Sequence, residues 1–114
     1  FFGQVWDMMT DVGTLLKSGG NAHNPLAGFD VERLVMVGYS QSAAYQVTYA
    51  NSFHERTRLP DGMPVYDGYF IAAGGARAKS VTGASSATEN LPAGDLRNFI
   101  HVDAPVIRFQ SQTE

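Results

Sequence analysis

Leu34-Val35-Met36-Val37-Gly38-Tyr39-Ser40-Gln41-Ser42-Ala43-Ala44 is the stretch from which the rest of this chain can be read. Leu34 to Val37 is an unbroken apolar run between Arg33 and Gly38. A short all-apolar run bounded by turn residues predicts a strand buried on both faces of a parallel sheet. The small residues Ser42, Ala43 and Ala44 then open a helix predicted to run from residue 41 to about 53, with Val47 continuing its buried face. Strand and helix are joined by almost nothing, so Ser40 must sit in a sharp turn. The residues two before and two after it must be small, because strand and helix nearly touch there. Gly38 meets this demand, and Ser42, although not glycine, remains small.

Working outward, Phe2, Val5, Trp6, Met9, Val12, Leu15 and Leu16 follow the spacing of one helical face over residues 1 to 17. Gly19-Gly20 stops that helix, and Asn21 to Gly28, with Pro25, is a loop. Beyond the central helix, Arg58 to Asp67 carries Pro60-Asp61-Gly62 and Pro64 and reads as turns. Tyr69 to Ala73 is predicted as a second strand ending at Gly74-Gly75, and Pro105 to Gln110 as a third. The helix between the first two strands makes a βαβ crossover. Residues 74 to 104 are rich in Gly, Ala, Ser and Thr with little periodicity, apart from a helical turn near Leu96 to Ile100. That stretch reads as a cap or loop excursion, of the kind more often functional than idle. The expected fold is therefore α/β, three-layered α/β/α with a mostly parallel sheet, of which residues 1–114 supply a central part with about three strands.

Composition narrows the function. The chain has 114 residues, 44% hydrophobic and 17% charged, in the range of a single globular domain. Net charge is −3, from 8 basic and 11 acidic residues, and the basic ones are scattered. That balance argues against nucleic acid as a partner. Without cysteine, disulfides, thiolate catalysis and thiolate metal sites are excluded. No apolar run is long enough to span a membrane. No histidine pair has metal-ligand spacing and no HExxH occurs, so neither metal nor cofactor is expected. Neither GxGxxG nor GxxxxGK[ST] is present, which disfavours a nucleotide-binding domain.

The chemistry is carried by Ser40. A hydroxyl lifted clear at the carboxyl end of a sheet is placed to act as a nucleophile. The backbone N–H of Gln41, at the helix N-terminus, is placed to stabilise a developing oxyanion. At this point the chain resembles the α/β-hydrolase superfamily, and in detail the serine hydrolases with a Gly-Tyr-Ser-Gln-Ser nucleophile elbow. The likeness rests on Val31 to Ser42, on Tyr66-Asp67-Gly68-Tyr69-Phe70-Ile71 and on Ala104 to Glu114, with only the elbow sharp. Gly-Tyr-Ser-Gln is also similar to the elbow of cutinases, but those are cysteine-bridged and the match ranks lower.

The resemblance implies a triad in the order nucleophile, acid, histidine. Glu114 then falls where the acid belongs, a few residues past the third strand, to orient the histidine. All three histidines precede it. His101 reads as a loop residue just before the third strand, His54 as a helix-end residue suited to the dipole, and His23 as part of the Gly/Asn/Pro loop. The base is therefore expected beyond residue 114 and a second oxyanion donor before residue 1, so the 114 residues alone are expected to show little turnover. Weaker candidates are Asp61 and Asp67 as paired carboxylates, although turns favour Asp at both places, Asp103 as a loop-holding residue, and Tyr39 as a pocket or packing residue. The expected activity is hydrolysis of a small-molecule carboxylic ester through an acyl-enzyme on Ser40. Amide or lactone hydrolysis and acyl transfer use the same parts, and a non-catalytic binding protein of the same fold would keep the elbow as scaffold.

Overall fold

The computed structural model describes residues 3–82 and 87–112. Its elements in chain order are α1 (Gln4–Lys17), β1 (Val35–Tyr39), α2 (Gln41–Ser52), β2 (Gly68–Ala72), β3 (Arg77–Lys79), β4 (Thr88–Asn90), a 3-10 turn (Leu96–Asn98) and β5 (Val106–Phe109). Strands β1, β2 and β5 form one parallel sheet in that order, with Val35 opposite Gly68 and Tyr69 opposite Val106. The architecture is α/β, as expected. The excursion, despite its weak periodicity, also holds a two-stranded antiparallel ribbon, β3 with β4.

Both helices pack on one face of the sheet. Trp6 of α1 joins Ala43, Val47, Tyr49 and Ala50 of α2 over Met36, Tyr69 and Ile71. The rings of Trp6 and Phe53 stack 5.2 Å apart, and the Tyr49 ring meets Tyr66 edge-on at 5.6 Å. Gly13 permits the approach of α1: a Cβ there would lie 2.5 Å from Val65 and 2.9 Å from the Tyr66 ring. The helix α1 ends where Ser18 turns back onto the Leu15 carbonyl and the buried Asn24 amide donates to the carbonyls of Leu16 and Ser18.

The expectation that β1 is buried on both faces is corrected. Its burial alternates, with Met36 and Gly38 covered while Val35 and Val37 are exposed, Val37 at 68%. Phe70, Ile107 and Phe109 are exposed as well. The run Leu34 to Val37 is apolar throughout, but both helices lie on the Met36 side, so the described helices cover one face of the sheet. No described helix is long and apolar enough to cross a membrane.

Two side chains fix the outlying parts. The Thr48 hydroxyl accepts from the Lys79 N–H at 2.8 Å and donates to the Lys79 carbonyl at 2.9 Å, docking β3 on α2. Asp67, just before β2, accepts from the Leu34 N–H at 2.7 Å and pairs with Lys17 at 2.7 Å. It therefore ties α1, β1 and β2 together at the amino edge of the sheet, and Asp61 instead holds its own turn by accepting from the Met63 N–H. The two do not form a catalytic carboxylate pair.

Partial burial pushes the Asp67 carboxyl up, but the hydrogen bonds from Lys17 and Leu34 and the Lys17 charge outweigh it, so its pKa lies below the ordinary 3.8. A carboxyl lowered in the folded state contributes stability above its unfolded pKa, and that contribution is lost as pH falls through the lowered value. Asp67→Asn is accordingly expected to melt at lower temperature than the parent at pH 7. The gap should close below pH 3.8, as the parent loses the same contribution, in melting curves recorded across that range.

Candidate active site

Strand β1 runs into α2 with one residue between them, Ser40, whose backbone sits at φ 55°, ψ −115°. For a residue with a Cβ that conformation is strained, by about 1–3 kcal/mol. It is held from both sides. The Ser40 N–H donates to the Ala72 carbonyl of β2 at 2.9 Å, and the Ser40 carbonyl accepts from the Ala43 N–H at 3.1 Å. The Ser40 hydroxyl makes no capping bond to the helix, and the residue is partly exposed. Gln41 is the first residue of α2 and is exposed. The first N–H groups of a helix have no acceptor within it and carry its positive end.

The demand for small residues is met in the structure. A Cβ on Gly38 would lie 2.9 Å from the Ser42 carbonyl carbon, 3.0 Å from its oxygen and 3.0 Å from Gln46 Cδ. Two of those three atoms are backbone and cannot swing away. Just past the end of β2, beside Ser40, Ala73 also has positive φ, 49°, and donates its N–H to the Phe109 carbonyl. A Cβ on the next residue, Gly74, would lie 2.8 Å from Ala43 Cβ. Two strained residues thus follow the carboxyl ends of the neighbouring strands β1 and β2, each one residue past its strand. The Ala73 strain was not found from sequence; the only signal was the Gly74-Gly75 pair after it.

The other residues singled out lie elsewhere. Glu114 is outside the described residues. Tyr39 is exposed next to Ser40 and points to the uncovered face of β1. His23 and His101 are exposed loop residues. His54 lies just past the end of α2, as expected, but it is buried, 2% exposed, with Nδ1 2.8 Å from the Tyr69 hydroxyl and Nε2 2.7 Å from Asp103 Oδ1. No local pattern marks these contacts, because both partners are remote along the chain. Tyr69 lies about 13 Å along β2 from Ala73, so this cluster is at the opposite end of the sheet from Ser40.

Asp103 holds its loop through this contact. The hydrogen bond from His54, aided by the Arg58 charge, keeps its carboxyl below the ordinary value. An imidazole donating from Nε2 to Asp103 accepts at Nδ1 from the Tyr69 hydroxyl, which burial holds well above its ordinary pKa and hence neutral. Ligand atoms of His54, Glu55 and Asp103 lie within 4.8 Å of one another. Arg58 reaches 2.5 Å from Glu55 and 3.5 Å from Asp103, so the positive charge serving this group is a guanidinium. A partly open pocket of about 230 Å³ lies on the flank of α2 between Thr48, Asn51, Lys79 and Arg97, and Ser40 does not line it.

A parallel sheet crossed by a helix that begins at a strained serine defines an α/β protein built around that turn. Residues 2–114 match the family model of the alpha/beta hydrolase domain, and the chain belongs to that family. Searches of curated proteins and of solved structures gave no match.

Two substitutions separate the ends of the sheet. Gly38→Ala should cost about 1–3 kcal/mol by overpacking, seen as a lower denaturation midpoint. His54→Phe leaves the Tyr69 hydroxyl buried without its partner and should cost about 1–3 kcal/mol, while a double-mutant cycle with Tyr69→Phe should recover part of that loss.

Proposed function

We propose that Ser40 is the nucleophile of a serine hydrolase that cleaves a carboxylic ester of a small molecule. The observation that carries this reading is the strained backbone of Ser40 at the junction of β1 and α2, with its hydroxyl unused by the fold. Strain of this size at a partly exposed polar residue is retained where the position serves a function. Membership of the hydrolase family adds support, and so does the register that brings the carboxyl ends of β1 and β2 together.

In the proposed reaction the Ser40 oxygen attacks the ester carbonyl as its proton passes to a histidine base. The negative charge then forming on the carbonyl oxygen is stabilised by the Gln41 N–H and the positive end of α2. Collapse expels the alcohol, which takes the proton back from the histidine, and leaves the acyl group on Ser40. Water activated by the same base releases the acid and restores the serine. Glu114 is assigned to orient the histidine, with Glu in place of the commoner Asp. None of the three histidines of this chain is assigned as base: His54 is committed at the far end of the sheet, and His23 and His101 are exposed loop residues. The base and a second oxyanion donor are assigned to parts of the domain outside these 114 residues. The uncovered apolar sheet face supports the same reading, since Val35, Val37, Phe70, Ile107 and Phe109 present a surface suited to a second helical layer.

Incubation of the full-length protein with a fluorophosphonate probe tests the assignment. Covalent labelling at Ser40 is expected, with loss of labelling and a fall in ester turnover of at least about 10³-fold in Ser40→Ala. A native protein that takes no label would leave a binding protein of this fold as the better reading. Label on a different serine would remove Ser40 as the nucleophile.

A further inference from the structure

Arg108 is an oddity of β5. It stands in the run Val106-Ile107-Arg108-Phe109, opposite Ile71 of β2. It is partly buried, on the side of the sheet that the helices cover. Among the described residues it makes no ion pair with a carboxylate. Its guanidinium donates instead to two backbone carbonyls, that of Gly75 through Nη2 and that of Asn98 through Nη1 at 2.8 Å. A planar fork with donors in fixed directions can serve two carbonyls at once, and a lysine cannot.

The Gly75 carbonyl belongs to the turn that flanks Ser40. Ala73 in that turn has positive φ, as does Gly75 itself. Strained residues persist only where their surroundings over-determine them. Two contacts lead from this turn to the serine: Gly74 against Ala43, where no space for a Cβ is left, and the Ala72 carbonyl accepting the Ser40 N–H. We propose that Arg108 is a positioning residue that, by gripping the Gly75 and Asn98 carbonyls, locks the strained 73–75 turn and through it the backbone of Ser40. The inference deepens the reading of Ser40 as nucleophile and rests on it for its catalytic consequence.

Arg108→Met and Arg108→Lys in the full-length protein test this, with two readouts. Amide hydrogen exchange follows the backbone whether or not the protein is an enzyme. In Arg108→Met, exchange should accelerate at residues 72–75 and 40–44 by tenfold or more, while residues 47–50 of α2 keep their protection. The rate of fluorophosphonate labelling at Ser40 should fall by about ten- to a hundredfold, since small displacements of a reacting group have effects of that size. Arg108→Lys retains the stem and charge but reaches one carbonyl, and should fall between parent and Met. If Arg108→Met does not fold, the same local pattern in Arg108→Lys decides. Exchange unchanged in both variants, or accelerated evenly along the chain as for a general stabiliser, overturns the proposal. A parent protein that takes no label while the variants loosen the two turns would sink the nucleophile and leave Arg108 as the lock of the turn.

Discussion

The chain leaves β1 and enters α2 within a single residue, and much of the geometry described above follows from that reversal. Strand and helix come so close that the Gly38 position has no room for a Cβ, because the Ser42 backbone already occupies it. Ser40 cannot relax its φ without carrying α2 off the sheet. That would separate the buried Ala43, Val47 and Ala50 from Met36 and the fully buried Ile71 in the core. Burial of this apolar surface, worth roughly 25 cal/mol per Å², offsets a local strain of a few kcal/mol. The strain is thus fixed by the packing, and the hydroxyl is left free of structural duty.

The two ends of the sheet are built from different materials. At the carboxyl end, small residues and backbone bonds bring turns into close contact: Gly38, Ala43, Gly74 and the Ser40 N–H to Ala72. Arg108 adds a side-chain grip there on the Gly75 carbonyl, whereas at the amino end side-chain pairs do most of the holding. Asp67 joins Lys17 to the Leu34 backbone, and His54 links Tyr69 to Asp103. Short backbone contacts leave little freedom at the turn that carries Ser40. The His54 network, built from side chains, tolerates adjustment better, and it lies about 13 Å away along β2.

The excursion between β2 and β5 is anchored more firmly than its composition implies. Thr48 grips both backbone groups of Lys79, the Trp6 indole N–H donates to the Val81 carbonyl, and the Arg108 guanidinium reaches Gly75 and Asn98. None of these contacts has a periodic signature. Each joins one polar group to a backbone atom far away in sequence, so a reading based on spacing cannot find them.

From the residues alone came the order of the main elements, the parallel crossover and the turn at Ser40. These depend on local rules: an apolar run between turn residues, small residues where strand meets helix, and helical spacing in α1. Tertiary structure alone decided which face of each apolar strand is covered, because Val35 and Met36 are equally apolar and only the side taken by the helices distinguishes them. It also decided that His54 is a buried link to Tyr69 and Asp103, and that Ala73 shares the strain of its neighbour Ser40. Both results come from pairings between segments tens of residues apart, and a sequence has no local marker for those.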